Sequence, residues 1–85
     1  MGPPQWSDLG MFLQSFMLLA QEAGLDTCAQ EAWAGRAQSV AQFVRAPEEL
    51  MLFCGMAVGY RDPEAPVNSL VSDRAPLEDW ATFVD

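Results

Sequence analysis

Few residues in this chain have side chains suited to chemistry, and their types exclude most enzyme mechanisms. There is no histidine, which removes the Ser-His-Asp and Cys-His arrangements and most catalytic zinc sites. The acidic pairs Glu48/Glu49 and Glu78/Asp79 are adjacent in sequence, so on a helix their carboxylates diverge rather than meet at one substrate atom. Asp62 and Glu64 flank Pro63 and read as a turn rather than a metal site. Cys28 has no Lys, Arg or His beside it in sequence to draw its thiol toward the thiolate, so it reads as a buried structural cysteine. Cys54 sits in an apolar run and reads the same way. Gly55-x-x-x-Gly59 lacks the glycine order of a dinucleotide fingerprint, which leaves both as packing glycines. Any difficult chemistry must then come from a cofactor, with the protein supplying position and electrostatics. No catalytic side chain and no metal ligand is expected.

The charge balance narrows the partners. Twelve acids stand against four arginines, with no lysine, for a net charge of −8. That field repels a phosphate polymer, so nucleic acid is excluded as a partner. The first ten residues carry no positive charge, and the apolar run Met11–Ala20 is broken by Gln14 and Ser15. It is also well short of the roughly 20 residues that cross a bilayer. Two cysteines with neither metal-knuckle nor disulfide-framework spacing suit a reducing, cytoplasmic compartment.

The elements that must position any site follow from periodicity. Residues 1–6 read as a lead-in. A helix is expected from Trp6 to Ala23, capped by Ser7 or Asp8 and stopped by Gly24. Leu9, Leu13, Phe16 and Ala20 form one stripe, while Met11, Phe12, Leu18 and Leu19 point elsewhere; a helix apolar nearly all round needs neighbours on most sides. Leu25–Gln30 reads as a short extended segment. Trp33, Ala37, Val40, Ala41 and Val44 recur at helical spacing, predicting a second helix over Trp33–Arg45 that Pro47 terminates. In Leu50–Tyr60 both alternate sets are apolar, the signature of a strand covered on two faces. One set shrinks to Gly55, Ala57, Gly59, so another helix or a flat ligand should approach closely there. Residues 63–85 read as an extended arm, with a short helix starting at Pro76. Its apolar stripe is Leu77, Trp80, Ala81 and Val84.

These elements cannot cover one another. A chain of this size buries only about 60% of its unfolded surface, yet 51% of the residues are apolar. Each large apolar side chain left in water forgoes about 1.5–3 kcal/mol. The chain is therefore expected to be completed by another, either a twin or a missing half.

Three stretches together resemble the nitroreductase family of flavoenzymes: DLGMFLQSFMLLA at 8–20, GLDTCAQEAW at 24–33 and CGMAVGYRDPEAPVN at 54–68, followed by RAPL at 74–77. The resemblance runs from Asp8 to Phe83 and corresponds to the C-terminal portion of the family. It implies one incomplete α+β domain, a partial nitroreductase-like fold with a long core helix, a short strand, a helix, a central strand and a C-terminal arm. It also implies an intertwined homodimer with FMN at the subunit interface. Reduction of nitro-aromatics or quinones by NADH or NADPH would proceed in a ping-pong cycle.

Residue by residue, Gln30, Glu31 and Ala32 match the loop whose backbone N–H groups approach the flavin N5 and O4 edge, where a donor stabilises the charge of the reduced ring. Arg74 matches a C-terminal basic residue that pairs with the FMN phosphate, a task suited to guanidinium. Ala29 stands where relatives often carry proline, and Ser69 and Val71 where they often carry arginine. The family's N-terminal Arg-x-Ser-x-Arg type of motif has no counterpart, so a truncated or split gene product is the expectation. The alternative is a cofactor-free interaction module or inactive remnant that pairs through its apolar helix.

Overall fold

In a computed structural model, which describes residues 2–85, the chain forms one long helix, a two-stranded antiparallel sheet, a short helix and a largely irregular C-terminal arm. Helix α1 spans Pro3–Glu22, three residues longer at its start than the periodicity suggests. Pro3 and Pro4 occupy the first turn, where a missing N–H costs nothing. Gly2 is the cap residue, and its N–H donates to Gln5 Oε1 at 2.6 Å. The cap is therefore not Ser7 or Asp8, and the lead-in shrinks to Gly2, with Met1 outside the described residues.

The end of α1 is as expected. Gly24 has φ +85°, the left-handed region that favours glycine. Its N–H reaches the Gln21 carbonyl at 3.0 Å and that of Leu25 reaches Ala20 at 2.9 Å, the paired bonds of a Schellman motif. This reversal lays α1 against strand β1, Asp26–Gln30. Leu9, Leu13 and Met17 are half-buried and Ala20 is buried, while Phe12, Leu18 and Leu19 face solvent. At the other end of α1 Trp6 packs on Phe53, ring centroids 5.5 Å apart.

A 3-10 turn over Glu31–Arg36 precedes helix α2, Ala37–Val44; the expected single helix over 33–45 therefore starts as a tighter coil. Helix α2 stops where expected, at Arg45, which caps it in the left-handed region with φ 57° and ψ 44°. Strand β2 covers only Gly55–Gly59, half of the apolar run that predicts it. It pairs antiparallel with β1, with Asp26 opposite Gly59 and Gln30 opposite Gly55. Leu50–Cys54 stays irregular because no second neighbour strand fixes it; among the described residues β2 is an edge strand rather than a central one.

Residues 60–85 carry two short 3-10 turns, Pro66–Ser69 and Leu77–Asp79. Pro76 caps the second turn from outside, and the expected terminal helix does not continue. Leu77, Trp80 and Val84 are exposed, so the stripe that would stabilise it has nothing to rest on. The expected surplus of apolar surface is present: Ala20 is the single buried core residue among those described. Cys28 is exposed and Cys54 half-buried. Cys28 is thus not a buried thiol in this chain.

Candidate functional site

The β1–turn junction gathers three of the four candidate residues. Gln30 closes β1, and Glu31 and Ala32 open the 3-10 turn. The first two amides of such a turn have no acceptor inside it, and no side chain caps them. Two adjacent backbone donors, Glu31 N–H and Ala32 N–H, are therefore free at an exposed bend. The side chains of both residues are exposed as well.

Trp33 and Gly55 shape the neighbourhood. The indole Nε1 donates to Gln30 Oε1 at 2.8 Å. A Cβ placed on Gly55 would lie 2.5 Å from Trp33 Cδ1, so the close approach expected at this glycine is real and its cause is the indole. At Gly59 nothing lies within 4 Å of such a Cβ. An open cavity of about 600 Å³ adjoins the junction, with walls that include Gln30, Trp33, Val40, Phe43, Leu52 and Met56. These walls escape motif reading; the legible signal is a tryptophan three residues past the loop and a glycine in the facing strand.

Arg74 stands apart. Its guanidinium Nη1 donates to Ser72 Oγ at 2.6 Å and to the Asp73 carbonyl at 3.1 Å. Among the described residues no hydrogen bond joins it to residues 30–32. One chain brings Gln30, Glu31 and Ala32 together and leaves Arg74 on its arm.

At the far end of the ladder, Asp26 is held by Arg61. The Arg61 Nη2 donates to Oδ1 at 2.8 Å and its backbone N–H to Oδ2 at 3.1 Å. The guanidinium hydrogen bond first, and the backbone N–H second, hold the Asp26 carboxyl below its ordinary range, while the carboxylate raises Arg61. This clasp fixes β1 to the exit of β2. Asp62 is likewise used locally: its carboxylate accepts from the Glu64 N–H at 2.9 Å and its carbonyl from Asn68 Nδ2 at 2.7 Å, the turn read from sequence.

Uncapped amides at 31 and 32 suit an electron-rich ring edge, and an exposed guanidinium at 74 suits a phosphate.

Comparison with known proteins places these features in context. The model of the Nitroreductase family matches residues 3–60. The chain is 37% identical over 79 residues to a 4-nitrobenzoate reductase of Pseudomonas putida, covering 93% of this chain and 35% of that protein. It is 37% identical over 75 residues to the chloronitrobenzene nitroreductase of Comamonas testosteroni, covering 88% and 33%. Its structure superimposes with a TM-score of 0.94 and 44% identity on the FMN and NADPH-dependent nitroreductase NfnB from sphigopyxis sp. strain HMH, covering all of this chain and 38% of that one. The chain spans about a third of the length of the curated relatives it matches.

Proposed function

Because the chain belongs to the nitroreductase family, we propose that it contributes the C-terminal half of the flavin site in an FMN-dependent oxidoreductase acting on nitro-aromatics or quinones. The uncapped Glu31 and Ala32 amides, on a bend held beside β2, carry this reading. Those donors would hold the N5 and O4 edge of FMN, with Gln30 setting the bend, and Arg74 would pair with the phosphate. Bound FMN supplies a ping-pong transfer of reducing equivalents from NADH or NADPH to the aromatic acceptor. The chain's own work is to orient the ring edge, stabilise negative charge there with fixed dipoles and keep the phosphate anchored. Support for FMN and NADPH comes from NfnB, described as dependent on both, and for aromatic nitro substrates from the reductases of P. putida and C. testosteroni.

The partner is a second copy of this chain or a chain bearing the rest of a nitroreductase fold. An arm such as 60–85, lying away from its own 30–32 bend, is suited to deliver Arg74 across such an interface. Free thiols at Cys28 and Cys54 suit a reducing cytoplasm, and no helix among the described residues is long and apolar enough to cross a membrane.

Titration of the purified chain with FMN, followed by flavin absorbance and fluorescence, tests the proposal. Uptake should be saturable and weakened by Arg74→Ala about tenfold, the scale of one charged hydrogen bond. A colourless protein that takes up no FMN would refute the flavin site and leave pairing through α1 as the remaining role.

A further inference from the structure

We propose that Trp33 is a positioning residue, a strut that fixes the Glu31 and Ala32 amides relative to β2. What those amides receive rests on the flavin reading above; how they are held does not. Gln30 and Gly55 face each other at the last position of the ladder. The indole touches both: Nε1 donates to Gln30 Oε1 at 2.8 Å, and Cδ1 closes on the space that a Gly55 side chain would fill. One ring thus spans the end of β1, the start of β2 and the turn between β1 and α2.

The turn needs such a support. Its 3-10 hydrogen bonds are poorer than those of an α-helix, it has no side-chain cap and it buries no residue. Backbone donors stabilise charge on a ligand only if they are already in place when that charge develops. A loop free to move would reorganise and lose the benefit. Glycine at 55 is then required because any Cβ would push the strut away.

Amide 15N relaxation on the flavin-free chain tests the strut directly. Order parameters at Glu31 and Ala32 should be near those of rigid backbone, about 0.85, and fall below about 0.6 in Trp33→Phe, which keeps a ring but loses the donor. Gln30→Leu should act alike, whereas Gln30→Glu retains an acceptor and should preserve the wild-type order. The second readout is the ratio of affinities for reduced and oxidised FMN. In Trp33→Phe reduced FMN should lose about tenfold more affinity than oxidised FMN, equivalent to a midpoint lowered by about 30 mV; general loosening would weaken both alike. If Trp33→Phe loses its far-UV circular dichroism, Gln30→Leu decides. Unchanged order in the variants, or lost order with an unchanged affinity ratio, overturns the strut while wild-type FMN binding still stands. Failure of the wild type to bind FMN overturns the flavin reading instead, and the order parameters still decide the strut.

Discussion

Asp26 illustrates how single residues hold this chain together where packing does not. Arg61 gives it two donors, so its carboxyl is held below the ordinary range. A folded-state value lowered in this way contributes stability above the unfolded value of about 3.9, and that contribution fades as pH falls through the folded value. In Arg61→Met the Asp26 carboxyl should titrate at higher pH by NMR, and the stability gap to wild type should close as the solution is acidified below about pH 3.9. Arg45 makes the opposite point. It ends α2 at φ 57°, although the side chain disfavours that region by about 1–2 kcal/mol. Arg45→Gly should therefore raise stability by about 0.5–1 kcal/mol after the extra backbone entropy of glycine is allowed for, read as a shift in denaturation midpoint.

Elements here are fixed at their ends more than along their faces. Helix α1 turns into β1 through Gly24 and two backbone bonds. The same Schellman geometry closes α2, with the Ala46 N–H reaching Ala41 at 2.9 Å. Gly24→Ala keeps every neighbour clear, since nothing lies within 4 Å of the added Cβ, but it strains φ +85°. A loss of about 1–2 kcal/mol is expected in thermal or denaturant unfolding. The two strands differ from that pattern, because a two-stranded sheet is marginal without a covering layer. Only α1 rests on β1, and β2 reaches back no further than Gly55, although the apolar run extends to Leu50, because its partner β1 ends at Gln30 opposite it.

At the scale of the molecule, surface is the dominant fact. A monomer of 9.3 kDa normally exposes about 5,000 Å², whereas this chain exposes 7787 Å². Its radius of gyration is 16.7 Å, against about 12 Å for a compact domain of this length. The excess of about 2,800 Å² is well beyond the roughly 800 Å² that each partner gives to an ordinary interface. Much of it is apolar: on α1, Phe12, Leu18 and Leu19 are each more than 60% exposed. The chain should self-associate in analytical ultracentrifugation, and Leu19→Glu should weaken association by tenfold or more, a cost of about 1.4 kcal/mol or greater, while leaving the helix signal intact. With −8 on each copy, raising the salt should strengthen association, because screening removes repulsion and leaves apolar burial untouched. A dilute monomer indifferent to both changes would remove the case for a second copy as the partner.

Sequence by itself determined the order of the main elements and the stop of α1. The Gly24 reversal, the short strand at 26–30 and the turn at Asp62 are local events, set by backbone freedom, side-chain branching and nearby hydrogen bonds. It also determined the apolar surplus, since composition and length alone bound what can be buried. The family likeness at 8–20, 24–33 and 54–68 was legible for a related reason: these stretches contain the helix, loop and strand that the fold must place together. Only the tertiary structure decided that Trp33 fills the space at Gly55, because residues 22 positions apart meet through strand register and no local preference encodes that meeting. It decided likewise that Cys28 is exposed and that Arg74 folds onto Ser72 rather than toward residues 30–32. Burial and charge pairing are properties of what lies across a gap, and an apolar run states its need for a neighbour without naming one.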